Sequence, residues 1–276
     1  VKLLIIAALI SYLLRKRVKA MLGKLADGSW SLAQKIGTYL QEDKIFFPCD
    51  FFGSHLATSS LFVNDPGKMS IAAKRYYAEI MMPFRAQIKK HLEKLAVVDI
   101  EIVAPSHGPL YDAPDSIIDM YKDWAGDDVS NEVVVVYVSM HGSTRTLVDY
   151  FVDSLITKGV EVKPFNLSRT DIGELAIALV DTATLVVASP MVLAGLHPTV
   201  AHAAIIANAL RPKLKFMSML GSFGWGGKMV DQLSGLTTNL KAEMLEPVIV
   251  KGSPGKEGFD QVDRLVSDIV ERHRDL

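Results

Sequence analysis

The sequence predicts an α/β protein. Its C-terminal half is a doubly wound, five-stranded parallel sheet, preceded by a smaller and less regular domain. Three observations lead there. After residue 130, five short apolar runs alternate with five helical patterns, the rhythm of repeated strand–helix units. Two of those runs, 132–138 and 184–189, are apolar without alternation, as strands covered on both faces must be. The chain has 276 residues, 49% apolar and 22% charged, which suits one large folded domain or two ordinary ones.

The elements follow in order. Residues 1–26 carry six basic side chains and no acidic one, around an apolar run from Leu3 to Leu14. About 20 such residues are needed to span a bilayer, so the run is too short to cross unaided. The Arg15-Lys16-Arg17 cluster follows the run, whereas a signal peptide places its charge first. The expectation is a helix buried in a larger body, with a membrane-surface helix as the alternative. Residues 36–49, IGTYLQEDKIFFPC, read as a hairpin around the polar turn 41–44. A polar loop, 53–60, leads to a long helical pattern over 68–95 with Pro83 as a kink. A strand over 99–104 ends in Pro105-Ser106-His107-Gly108-Pro109. A helix over 115–124 then reaches the turn Gly126-Asp127-Asp128, the expected domain boundary. Beyond it, strands are expected at 132–138, 161–167, 184–189, 215–220 and 246–252. Helices are expected at 144–158, 171–180, 198–209, 227–242 and 256–274.

Composition excludes several classes. A net charge of −1 argues against holding nucleic acid by charge alone. The single cysteine, Cys49, rules out an intramolecular disulfide and a multi-cysteine zinc site, and it fits a reducing cytoplasm. Mean hydropathy is +0.23, raised by the buried strands and by the opening run.

In a doubly wound sheet, ligands sit beyond the carboxyl ends of the strands, where strand order reverses. Three loops lie there. Ser139-Met140-His141-Gly142-Ser143-Thr144 runs into a helix start, offering backbone N–H groups, hydroxyls and the positive end of the helix dipole to a phosphate. It lacks the P-loop and dinucleotide glycine patterns, and alone it would equally be a plain N-cap made by Ser143 or Thr144. The second loop is Ser189-Pro190-Met191-Val192-Leu193-Ala194-Gly195. The third, Gly221-Ser222-Phe223-Gly224-Trp225-Gly226-Gly227, is dense in glycine and carries two aromatic rings. Either ring could be ordinary core, but a ring can also cover a flat heterocycle. Together the loops point to a mononucleotide with a planar ring: FMN in a flavodoxin-like domain.

YVSMHGST, SPMVLAG and GSFGWGGKMV resemble the flavodoxin module of the flavodiiron proteins (A-type flavoproteins), and the likeness extends over 131–276. The resemblance implies that Ser139 to Thr144 bind the FMN phosphate. It also implies that Ser189 to Gly195 and Ser222 to Gly227 flank the isoalloxazine. FFPCDFFGSHLA and IVAPSHGPLYD resemble that family's metallo-β-lactamase-like domain, making Asp50 and His107 the implied iron ligands. From the residues alone, Asp50 could be a loop cap and His107 a turn histidine; His55 is read as a loop or neighbouring residue. The family's H-x-E-x-D-H stretch is absent, and Ser31 stands where the next ligand histidine would fall.

The expected organisation is an unmatched segment 1–35, a partial metallo-β-lactamase-like domain over 36–128 and an FMN domain over 131–276. The Val start, the unmatched opening and the missing ligands lead to the expectation of a truncated or frame-shifted product with an incomplete di-iron site. The resemblance further implies an oxidoreductase passing electrons from a rubredoxin-like partner or a reduced deazaflavin to dioxygen or nitric oxide. A homodimer in the cytoplasm is implied as well. The alternatives are a stand-alone flavodoxin-like carrier and a quinone or flavin reductase on the same fold.

Overall fold

The computed structural model describes residues 37–276. The apolar, basic opening and Ser31 lie outside the described residues. The described chain starts with the expected hairpin, β1 (Thr38–Leu40) against β2 (Ile45–Phe47), antiparallel with Thr38 opposite Phe47. Lys44 closes the turn with φ of 51° and lies 2.8 Å from Asp99 and 2.7 Å from Glu101. Strand β3 is shorter than expected, only Ile102–Val103, parallel to β2. Asp99 and Glu101 are drawn to Lys44, and Pro105 has no N–H with which to extend the ladder.

The long helical pattern is broken into pieces. Helix α1 (Pro66–Tyr76) starts with Pro at its first position and Asp65 as cap, accepting from Lys68 N at 3.0 Å. A π turn (Tyr77–Met81) and a 3₁₀ turn (Met82–Phe84) carry the chain past Pro83 into α2 (Arg85–Leu95). A proline inside a helix removes a donor and clashes one turn back, so the backbone widens and then tightens around it. Helix α3 (Pro114–Ala125) follows.

The parallel sheet contains β4 (Ser130–Tyr137), β5 (Glu161–Asn166), β6 (Thr182–Val192), β8 (Phe216–Phe223) and β10 (Val248–Lys251), in the order β10-β8-β6-β4-β5. Two short strands join it: β7 (Gly195–Leu196) folds back on β6, and β9 (Glu243–Met244) pairs with β8. Strand order reverses between β4 and β6, which places the topological switch point there. Pro164, which cannot donate to a ladder, sits on the edge strand β5.

The unbroken valine run explains itself in three dimensions. Val134 and Val136 face one hydrophobic core, and Val133 and Val135 face the other. Helices α4 (Ser143–Thr157) and α8 (Lys256–His273) cover the second face. Helices α5 (Ile172–Ala178), α6 (Pro198–Leu210) and α7 (Met229–Leu236) cover the first, which is continuous with the core of residues 46–125.

Helix α7 is shorter than the 227–242 expected. Thr237 bonds its hydroxyl back to Leu233 O at 2.8 Å, and Asn208 on α6 captures Asn239 N at 2.6 Å. These side-chain bonds offer the backbone an alternative to further helical turns. No helix among the described residues is long and apolar enough to cross a membrane.

Candidate functional site

The three loops converge at the carboxyl ends of β4, β6 and β8. Past β4, Gly142 takes φ of 94° and serves as the N-cap of α4, which starts without a side-chain cap. Neither Ser143 nor Thr144 fills that role. Ser139 Oγ accepts Arg145 N at 3.2 Å and braces the loop across the first turn. Above Gly142 the space is open: a Cβ placed there would meet nothing within 4 Å. A helix start whose glycine N-cap brings no side chain, with open space above that glycine, leaves backbone N–H groups for an anion.

Thr144 is turned inward. It is buried, and its hydroxyl lies 3.0 Å from that of Ser222, joining the first loop to the third. Met140 and His141 are exposed.

The second loop is mostly strand. Ser189 is buried, and its hydroxyl receives His197 N at 2.9 Å, so it fastens the segment from below. Pro190, Met191 and Val192 continue β6, and the reversal falls on Leu193 and Ala194. Both adopt left-handed backbone, φ 50° and 64°, in a two-residue hairpin turn. Such turns favour Asn-Gly, and a non-glycine residue held there costs about 1–3 kcal/mol. The turn lifts Leu193 clear of the surface, with 97% of the residue exposed.

The third loop leaves β8 after Phe223. Ser222 lies within the strand, while Gly224 and Gly226 border open space. Trp225 is 80% exposed and therefore not a core residue. Gly227 is needed for close approach: a Cβ there would stand 2.5 Å from Ala194 O and 2.6 Å from Met191 Sδ. Two contacts that sequence reasoning did not find tie the second and third loops together. Lys228 N donates to Ala194 O at 3.0 Å, and Gln232 on α7 accepts Leu196 N at 2.7 Å. No motif marks a lone glutamine on a helix face, so spacing gave no signal for it.

The second candidate constellation lies where the first part of the chain turns. Cys49 and Phe52, both with left-handed φ, bracket Asp50. His107 Nε2 stands 3.3 Å from Asp50 Oδ1. Ser106 N donates to Cys49 O and Ser54 N to His107 O, stitching the two loops together. The His55 ring lies 5.8 Å from that of His107, and Tyr76 packs against both. Burial, with the Asp50 charge second, raises the Tyr76 hydroxyl above its ordinary value. Among the described residues, no group of three or more His, Cys, Asp or Glu is placed to hold a metal ion.

Comparison with known proteins gives consistent relatives, although no family model matches. An uncharacterized protein of Methanocaldococcus jannaschii is 31% identical over 224 residues, covering 80% of this chain and 57% of that protein. A nitric oxide reductase of Moorella thermoacetica is 35% identical over 195 residues, 69% of this chain and 49% of the relative. Among solved structures, rubredoxin oxygen:oxidoreductase of Desulfovibrio gigas superposes with a TM-score of 0.80 at 27% identity, over 86% of this chain and 61% of that one. The flavodiiron protein of Giardia intestinalis gives 0.74 at 28% identity, over 86% and 60%. The chain thus spans about half the length of the curated relatives it matches, 57% and 49% for the two above.

Proposed function

We propose, from the premise that this chain belongs to the flavodiiron protein family, that residues 131–276 bind FMN and that the protein moves electrons through it. The carrying observation is the start of α4 at the switch point, where the Gly142 N-cap brings no side chain, with an exposed tryptophan and open glycines on the loop beside it. The phosphate would take the backbone N–H groups and hydroxyls of Ser139 to Ser143. The ring would lie between the Pro190–Gly195 hairpin and the Ser222–Gly227 loop, with Leu193 and Trp225 as apolar cover. Bound flavin supplies the redox chemistry. The chain's own residues seat the phosphate, flank the ring and exclude water, and none is assigned as a base or nucleophile.

The donor we propose is a rubredoxin-type protein, by analogy with the rubredoxin oxygen:oxidoreductase of Desulfovibrio gigas, with a reduced deazaflavin as the second candidate. Residues 36–128 would be metallo-β-lactamase-like, and the protein a cytoplasmic homodimer. In the relatives' names the acceptors are dioxygen and nitric oxide. The described residues alone do not fit a two-iron centre. Asp50 and His107 are two ligands where a metal pair needs several more. No step of oxygen or nitric oxide reduction is assigned to them.

Titration of the purified chain with FMN tests the proposal. Saturable quenching of flavin fluorescence at one FMN per chain is expected. Absence of flavin absorbance after incubation with FMN and gel filtration overturns it.

A further inference from the structure

We infer that Gln232 is a positioning residue that holds the Leu193–Ala194 turn in its left-handed form and so presets the wall of the flavin site; the inference rests on the FMN assignment above. A turn with two non-glycine residues at φ 50° and 64° persists only where its surroundings over-determine it. Leu193 has no packing to hold it, being 97% exposed. The restraint comes from beneath. The pairs Met191–Leu196 and Val192–Gly195 close the hairpin, and Gln232 Oε1 accepts Leu196 N at 2.7 Å. The side chain lies directly under Gly195, where an added Cβ would meet Oε1 at 2.4 Å. Lys228 N holds Ala194 O at 3.0 Å from the same segment. Because Gln232 belongs to α7 and Lys228 is its cap, the turn is fastened to the helix that the Ser222–Gly227 loop runs into. Two walls of one site are thereby kept in register, and the ligand need not order the turn when it binds.

The test uses the full chain, three single variants and one double variant. Gln232→Ala removes the acceptor. Gln232→Glu keeps an acceptor oxygen at the same reach, and Gly195→Ala displaces the side chain without removing it. In flavin-free protein, hydrogen exchange at the Leu196 amide should speed up at least tenfold in Gln232→Ala and stay within about threefold of wild type in Gln232→Glu. The FMN dissociation constant should rise about fivefold in Gln232→Ala and recover in Gln232→Glu. The Gly195→Ala, Gln232→Ala double variant should bind no worse than the weaker single, since both act on one contact. Unchanged exchange in Gln232→Ala, or a Glu variant as impaired as the Ala variant, overturns the inference. Failure of wild type to bind FMN overturns the flavin assignment instead, and the exchange result still decides whether Gln232 holds the turn.

Discussion

Gly227 shows what a single residue decides. Its missing Cβ admits Ala194 O and Met191 Sδ to distances that no side chain tolerates. Ala194 O is backbone and cannot yield freely, whereas the Met191 thioether, at the end of a flexible side chain, would have to turn aside. Gly227→Ala is expected to destabilise the protein by about 1–3 kcal/mol in urea unfolding and to weaken FMN binding with it. Wild-type stability and affinity in that variant would show that the two loops do not need this approach. The glycine-rich composition of 221–227 was legible in the sequence, but not which glycine is packed. Gly224 and Gly226 border open space, and that difference depends on what lies across the gap. The hydroxyls make the same point. Ser139 braces its own loop, whereas Thr144 and Ser222 satisfy each other, and only their placement separates these roles.

At the scale of elements, the β6–β7 hairpin holds two consecutive non-glycine residues in left-handed backbone. Replacing Leu193 and Ala194 by Asn and Gly puts into the turn the residues its geometry favours. The double variant is expected to gain about 1–2 kcal/mol, read as a rise in the urea midpoint at constant slope. Leu193 is nearly fully exposed, so little packing is lost against that gain. A fall in the midpoint would mean that the left-handed turn is not strained as its φ values imply. The periodicity that marked 184–189 as a strand could not reveal that it runs on to Val192 and folds back. Ser189-Pro190 reads locally as a loop, and pairing with β8, Pro190 opposite Ser222, overrides it. Helix α7 errs the other way, ending where Thr237 bonds back to Leu233 O and where Asn208, outside its own pattern, captures Asn239 N.

For the whole molecule, the decisive contacts join residues 46–125 to the parallel sheet. Lys74 on α1 lies 2.5 Å from Asp181, and Lys213, its side chain buried, lies 3.3 Å from the same carboxylate. Burial holds the Lys213 ammonium below the usual lysine range, opposed by the Asp181 charge. Lys213 also donates to Asp123 O, and Arg75 reaches Asp171 at the start of α5. Asp181→Ala leaves Lys213 buried without its counter-charge and should cost roughly 3 kcal/mol. Chemical unfolding checks this, and a loss below about 0.5 kcal/mol would show that the bridge is idle. The sequence by itself determined the fold class and pointed to the three loops that the fold brings to the carboxyl ends of β4, β6 and β8. Those properties follow from apolar periodicity and local backbone preference, which are written along the chain. The tertiary structure alone decided that Gln232 bonds Leu196, 36 residues away in sequence, that Trp225 is exposed, and that Asp50 and His107 meet. Such contacts join residues far apart in sequence, and no local periodicity encodes which of them will touch.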